Sequence, residues 1–437
     1  VIHGFRTERL IIMAPPDKDS LRSEQLIALE EQHGAHNYQP LPVVLEKGDG
    51  VFVWDVEGHR YYDFLSAYSA VNQGHAHPRI VAALSEQAGK LALTSRAFYN
   101  SELGRFEAFA TEYFGYDRIL PMNTGAEAVE TAIKLCRKWA YRVKGVPADR
   151  AKILVCENNF HGRTITLISF SSDPDARNDY GPYTPGFEVI PYNDLEALET
   201  ALADDDVAGF LVEPIQGEAG VNVPADDYIR RAAELCRARN VLFMVDEIQT
   251  GIGRTGSLLA VCGDCSCAGH CERQASYVKP DVLMLGKALS GGVYPVSAVL
   301  ADDEVMLTME PGQHGSTYGG NPVAARVAMT ALEVVRDEKL AANARHLGEI
   351  FRSELERIAA GSNLIARVRG KGLLNAIVIN DTADSSTALE LCLAMKENGL
   401  LAKPTHGNIV RFAPPLVMTE SQLSECVGII EEAVAAS

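Results

Sequence analysis

The chain has 437 residues, 47% hydrophobic and 22% charged, with Gly (36) and Pro (20) near average usage; this fits an ordinary globular protein of about three domain-sized units and argues against collagen-like or low-complexity classes. A formal net charge of -18 argues against general binding to nucleic acid or an anionic membrane, so neither is expected as a partner, although local arginines can still take anionic substrates. No apolar run approaches the roughly 18 to 20 residues that cross a bilayer.

The first seventy residues read as a short helix followed by extended segments. In LPVVLEKGDGVFVWDVEGHRYYDFL the apolar residues alternate around Gly48-Asp49-Gly50 and a second turn falls at Glu57-Gly58, which predicts a small antiparallel ribbon. Residues 126–144 place Val129, Ile133, Cys136 and Ala140 on one helical face, with Glu130 and Lys134 as an outward i,i+4 pair. Four short apolar runs follow, KILVCEN, VAGFLVEPI, VLFMVDEI and VLMLGK, with polar residues at their C-terminal ends; a helical pattern, DDYIRRAAELCRAR, separates the second from the third. Buried strands alternating with amphipathic helices predict an α/β fold with a mostly parallel sheet covered on both faces, whose ligands bind beyond the carboxyl ends of the strands. From about residue 320 the pattern is helical, then passes through LIARVRGKGLLNAIVI to a helix near 385–398 and a terminal helix after Thr419. The expected partition is 1–70 as a helix and ribbon packing with the small domain, 71–330 as the large domain, and 331–437 as the small α+β domain.

Of nine cysteines, Cys136, Cys156, Cys236, Cys392 and Cys426 stand singly in helix-like or strand-like surroundings and are expected to be reduced, packed thiols. Cys262, Cys265, Cys267 and Cys271 crowd into CGDCSCAGHC. The order of expectation there is a surface loop of reduced or redox-active thiols, then a disulfide, and last a metal, because the single-residue gap suits a zinc knuckle poorly. The first twenty residues lack the pattern of a secretory signal, and the expected location is cytoplasmic, with the mitochondrial matrix as the alternative.

Four local features point towards one chemistry. Lys287 in VLMLGKALSGG directly follows an apolar strand and precedes glycines, so it is a candidate Schiff-base former; a strand-end lysine reaching solvent explains the same letters. Asp246 ends VLFMVDE, where a buried carboxylate can pair with a protonated pyridine nitrogen, or simply cap a helix. Thr124 and Gly125 in NTGAEAVE open a helix whose free amides can seat a phosphate, although simple N-capping by Thr124 is equally compatible. HGSTYGGNP, with Ser316 and Thr317, is either a further phosphate ligand or just a polar loop.

In combination these features, with the motifs YSAVNQGHAHP, MNTGAEAVETAIKL, NNFHGRT, EPIQGEAGV, VDEIQTGIGRTG, LGKALSGGVYPVSAVL, GQHGSTYGGNP and VRGKGLLNAI, resemble the class III pyridoxal-phosphate-dependent aminotransferases of fold type I over nearly the whole chain. The resemblance implies a large domain with a mostly parallel seven-stranded sheet and a smaller α+β domain. It implies pyridoxal 5'-phosphate as cofactor, Lys287 as its Schiff-base lysine, and Asp246 as partner of the ring nitrogen. Gln249 would contact the 3-oxygen, Phe160 would stack on the ring, and Gly125, Ala126 and Ser316 would hold the phosphate with Thr317 of a neighbouring subunit. Such sharing implies a homodimer with composite active sites, with larger assemblies left open. No metal site is implied.

On the substrate side, the resemblance is to members acting on ornithine and 2-oxoglutarate. It implies Arg163 on the substrate α-carboxylate, Tyr38 on the α-amino group and Tyr68 shaping the pocket. Glu218 would neutralise Arg411 while ornithine is bound and release it for the α-carboxylate of 2-oxoglutarate. The implied reaction is ping-pong transfer of the δ-amino group of ornithine to 2-oxoglutarate, giving glutamate 5-semialdehyde and glutamate. N-acetylornithine, succinylornithine and 4-aminobutyrate are the alternative donors. One departure stands out: His161 follows Asn159-Phe160 where relatives carry Trp or Tyr, and it is expected to alter packing while leaving Phe160 and Arg163 in place.

Overall fold

The computed structural model describes residues 22–262 and 278–437. Cys265, Cys267 and Cys271 therefore lie outside the described residues, while Cys262 is buried at the end of a short helical turn. The five single cysteines are free and buried, as their surroundings predict.

After the helix Ser23–His33, strands β1 (Leu45–Asp49), β2 (Phe52–Asp55) and β3 (Arg60–Asp63) form the expected antiparallel ribbon. Gly50 at φ +58° takes the first position of the two-residue turn between β1 and β2, a conformation that favours glycine. The large sheet is built from β4 (Arg118–Met122), β5 (Lys152–Cys156), β6 (Phe187–Ile190), β7 (Val207–Val212), β8 (Leu242–Asp246), β9 (Val282–Leu285) and β10 (Ser297–Ala301). Its spatial order is β4-β10-β9-β8-β7-β5-β6, and β10 alone runs antiparallel to its neighbours. This is the α/β, mostly parallel seven-stranded architecture of fold type I. Along β5, Ile153 and Val155 enter one buried cluster while Leu154 and Cys156 enter another, and β8 alternates in the same way. Side chains on both faces are thus covered, which is why these runs are apolar without alternation.

The helix Gly125–Trp139 continues as a wider turn through Ala140–Lys144 and buries Val129, Ile133, Cys136 and Ala140 together. The expected Glu130–Lys134 pair does not form. Thr164 donates to Glu130 at 2.5 Å, and Lys134 donates to the Gln313 carbonyl at 3.3 Å, so tertiary partners outcompete the weak local pair.

A second sheet comprises β11 (Ile365–Lys371), β12 (Leu374–Ile379), β14 (Lys403–Thr405) and β15 (Ile409–Phe412), in the order β11-β12-β15-β14. Between them in sequence, β13 (Leu400–Leu401) pairs in parallel with β3, tying the N-terminal ribbon to the C-terminal region. The boundary expected at residue 330 falls inside the continuous helix Pro322–Asp337.

Arg254 joins these parts. Its fully buried guanidinium donates to the carbonyls of Leu373 (2.9 Å) and Pro414 (2.6 Å) and to Asn72 Oδ1 (2.5 Å). Burial pulls its pKa down to about 9.

Candidate active site

The carboxyl ends of β7, β8 and β9 open onto a cavity of about 210 Å³, lined among others by Gly125, Ala126, Phe160, Glu218, Asp246, Gln249 and Lys287. Seven residues expected at the cofactor or substrate from sequence thus meet at the place where a parallel sheet binds its ligand.

Lys287 follows β9 and Gly286, and opens a 3-10 turn over Lys287–Ser290 with its own φ at +42°. A lysine in the left-handed region costs roughly 1–3 kcal/mol, and such strain persists only where the surroundings impose it. The side chain lines the cavity, in a residue that is half-buried overall. Burial pushes its ammonium pKa down, with the Glu218 carboxylate opposing, which favours an amine that can act as nucleophile and proton carrier.

Asp246 is buried at the end of β8. Its Oδ1 accepts from the Ile248 N–H at 3.0 Å, and its Oδ2 lies 2.7 Å from Nδ1 of His161. His161 therefore does more than alter packing: it bonds to a buried carboxylate. Burial pushes the His161 pKa down, but the hydrogen bond and charge of Asp246 outweigh it and leave the net shift upward. Glu213, just past β7, was not singled out by sequence reading. It accepts the Phe160 N–H at 3.0 Å, and burial pushes its carboxyl up to about 7. Both residues carry the signal of a polar letter at or beyond the C-terminal end of an apolar run.

Thr124 caps the Gly125–Trp139 helix in a capping box with Glu127, so its side chain is committed locally. Glu127 and Ala128 give their amides to Thr124, whereas Gly125 and Ala126 have no such partner among the described residues and line the cavity. A helix start of this kind suits an anion. Gly162, at φ +128°, packs against this turn, and a Cβ there would fall 2.6 Å from Leu167.

Above the cavity, β15 carries Arg411, whose Nη1 donates to Glu218 Oε1 at 2.8 Å and to the Gly217 carbonyl at 3.2 Å. Gln249 donates to the same Glu218 oxygen at 2.8 Å, so its amide is directed to Glu218 in this state. A Cβ on Gly217 would lie 1.6 Å from Gln249 Oε1, so a larger residue there would displace the Gln249 amide from this position. Burial alone would push the Glu218 carboxyl up, yet Arg411, Lys287 and these hydrogen bonds together hold it at about 2.

The Tyr68 ring stacks 5.1 Å from the Arg411 guanidinium carbon. It is presented by an unusual backbone: Ser66, Ala67, Tyr68 and Ser69 all have positive φ, at 48, 46, 61 and 71°. Consecutive left-handed residues cost roughly 1–2 kcal/mol each. Asp63 anchors the entry, its Oδ1 accepting from the N–H groups of Leu65 (2.9 Å) and Ser66 (2.8 Å). No glycine marks this turn in the sequence, so it was not foreseen.

Besides Tyr68 and Arg411, which lie outside the lining but reach Glu218 through Arg411, four expected residues stand apart from the cavity. Arg163 is exposed, 5.5 Å from the Phe160 ring, and Tyr38 is 71% exposed with Lys403 at 6.0 Å from its ring. Ser316 accepts from Asn123 (2.8 Å) and from the Gly319 N–H (3.1 Å), and Thr317 is exposed.

A buried lysine amine, a buried carboxylate with its histidine, and two open helix amides on one small cavity match the three ends of pyridoxal phosphate: carbonyl, ring nitrogen and phosphate. Residues 33–434 match the family model for aminotransferase class-III. The chain is 58% identical over 413 residues to the mitochondrial ornithine aminotransferase of Drosophila melanogaster, covering 94% of this chain and 92% of that protein. Among solved structures, it superposes on the ornithine aminotransferase of Toxoplasma gondii with a TM-score of 0.91 at 51% identity, covering 95% of this chain and 94% of that one. An acetylornithine aminotransferase from Elizabethkingia anophelis gives a TM-score of 0.86 at 60% identity, covering 96% and 100%. The cytoplasmic expectation is overturned by these comparisons, because the similar proteins of Drosophila melanogaster, Drosophila ananassae and Rattus norvegicus are mitochondrial. Its weakness was physical: soluble enzymes of the two compartments share composition, so the bulk of the sequence could not separate them. With the match running through all three sheets and every strand that frames the cavity, the chain belongs to the class-III aminotransferases.

Proposed function

We propose that this enzyme transfers the δ-amino group of ornithine to 2-oxoglutarate, producing glutamate 5-semialdehyde and glutamate in two half-reactions. The observation that carries the reading is the Glu218–Arg411 pair, closed at 2.8 Å over the cavity that holds Lys287. A site that must admit a cationic donor and then a dicarboxylate needs an arginine that can be masked. With the pair closed, the donor's amine meets no uncompensated positive charge on its way to Lys287. With Glu218 displaced, Arg411 is free to fork onto a carboxylate.

Pyridoxal phosphate, when bound, supplies a conjugated ring that accepts the electron pair released at the substrate carbon. The residues that hold it are Lys287 at the carbonyl end, Asp246 at the ring nitrogen, Phe160 on the ring face, and Gly125 and Ala126 at the phosphate. With the cofactor bound, the Lys287 amine would be the group on this side of the site able to accept and return a proton at the substrate carbon. Burial lowers its basicity, which favours the neutral amine relative to an exposed lysine. Asp246, buried at the end of β8, would stand opposite the ring nitrogen, where burial makes the attraction between opposite charges strong. Tyr68, held against Arg411, narrows the entrance on the donor side.

A second copy of the chain is expected to complete each site. Phe98, Tyr99 and Tyr318 are exposed together, with Asn100 reaching the Gly320 carbonyl at 3.4 Å, and this apolar rim adjoins Thr317. A solution mass of twice the chain's 47.4 kDa supports the dimer, and a monomeric active enzyme would remove it. A mitochondrial location accords with the relatives.

The acetylated donor is the competing reading, favoured by the 60% identity to the bacterial acetylornithine enzyme and by the exposure of Tyr38, which leaves the α-amino end without a partner in the cavity. Absorbance of the loaded enzyme during separate additions of ornithine, N-acetylornithine and 4-aminobutyrate decides between them. Conversion by ornithine at least tenfold more efficiently than by the others is expected; conversion by acetylornithine alone refutes the proposal.

A further inference from the structure

We infer that His161 is a positioning residue: its Nδ1–H holds Asp246 so that the remaining edge of that carboxylate stays aimed at the cofactor's ring nitrogen. The inference rests on the reading of Asp246 given above.

The side chain of His161 is completely enclosed, and its Nδ1 lies 2.7 Å from Asp246 Oδ2, the length of a charge-assisted bond. The other carboxylate oxygen is held from a different direction by the Ile248 N–H at 3.0 Å. A carboxylate tied at both oxygens cannot turn about its terminal torsion, so its open lone pairs keep one direction. The imidazole is itself fixed. Asn159 donates to the carbonyls of Cys156 (2.7 Å) and Phe170 (3.1 Å), and Phe160 N–H donates to Glu213 (3.0 Å), which pins the backbone on the two residues before it.

Packing alone does not explain a histidine here. Its Nε2 is buried with no hydrogen-bond partner, a cost an apolar ring would avoid. Among the described residues, the polar contact that repays this cost is the one to Asp246. The ionisable groups acting on the ring are Asp246 at the end of β8 and Glu213 beyond β7, both acidic, and both favour a protonated donor at Nδ1. Asp246 is thereby divided between two donors on its two oxygens, the imidazole and the Ile248 N–H, and the direction left open for the ring nitrogen depends on both.

The test compares His161→Phe, which keeps a ring without a donor, and His161→Asn, whose amide N–H falls near the place of Nδ1, with Asp246→Asn and the double variant His161→Phe/Asp246→Asn. Each apoprotein is titrated with pyridoxal phosphate by absorbance, and kcat and KM are measured separately. His161→Phe is expected to weaken cofactor binding and lower kcat about 10- to 100-fold, the scale of lost outer-shell partners, with KM for the amine donor within about threefold. His161→Asn is expected to recover most of both, and His161→Phe to add less than about twofold once Asp246 is already Asn. Wild-type cofactor binding in His161→Phe, no rescue by Asn, or losses that multiply in the double variant would each overturn the inference. If Asp246→Asn itself changes nothing, the assignment of Asp246 fails and this inference with it. Should His161→Phe not fold, nitrogen-labelled histidine in the wild-type holoenzyme decides: Nδ1 stays protonated from about pH 6 to 9, and an unprotonated Nδ1 overturns the idea.

Discussion

Replacing Glu218 by Gln keeps the shape and one acceptor of the side chain but removes the charge that masks Arg411. The structure sets the size of the effect. The Glu218 carboxyl sits at about 2 against an ordinary 4.5, net of its burial; at about 1.4 kcal/mol per tenfold in proton affinity this is about 3 kcal/mol of favourable interaction, mainly with Arg411. A depressed carboxyl of this kind contributes its stabilisation above pH 4.5 and loses it as pH falls towards 2, so at neutral pH the whole term is present. Without it, the cationic donor meets a bare guanidinium, and about 3 kcal/mol corresponds to roughly 100-fold in the donor half-reaction. The dicarboxylate half-reaction has no such opponent and is expected to keep its rate or gain, since Arg411 no longer has to be released. Stopped-flow absorbance of each half-reaction, run in single turnover, reads the two separately. An equal loss in both would refute the masking argument and leave Glu218 as a structural partner of Arg411.

Three further outcomes are expected. Lys287→Ala lowers turnover by at least about 10²- to 10⁴-fold and abolishes the cofactor–lysine absorbance band, as loss of a nucleophile and proton carrier requires; near-normal turnover would sink the assignment. Glu213→Gln flattens the pH dependence of stability: with its folded pKa raised to about 7 from 4.5, Glu213 favours the folded state below pH 4.5 and loses that advantage as pH rises through 7, by up to about 3 kcal/mol. Thermal midpoints from pH 5 to 8 should therefore converge less steeply in the variant, and parallel curves would contradict this. Arg254→Met leaves three buried acceptors without a donor, at about 1–3 kcal/mol each, and should lower the urea midpoint by several kcal/mol equivalent; a loss below about 1 kcal/mol would show that water replaces the guanidinium.

The large sheet was legible because β5, β7, β8 and β9 are short apolar runs ending in polar residues and alternate with amphipathic helices, the pattern a doubly covered parallel sheet produces. Lys287 was ambiguous on local letters, and its basicity is set by burial and by the charges of Glu218 and Arg411, which arrive from distant segments. Arg411 reaches the cavity through the pairing of β15 with β12, a register no local pattern reveals. The left-handed turn at Ser66–Ser69 was illegible for the opposite reason: Ser, Ala and Tyr carry no local preference for it, and Asp63 and the surrounding core impose it. The Glu130–Lys134 pair failed because helix-surface pairs are weak enough for any nearby hydroxyl or carbonyl to displace them.

The Arg254 guanidinium also constrains how the protein can be made. Two of its three acceptors, the carbonyls of Leu373 and Pro414, are synthesised more than a hundred residues after it. Until the ribosome has passed residue 414 the arginine must remain hydrated, and the segment after β8 cannot close. The cofactor cavity, whose floor is laid down by that segment, is therefore finished only when the last strand of the second sheet and the chain just beyond it emerge. A truncated or stalled chain would carry every strand of the large sheet and still lack a site able to retain its cofactor.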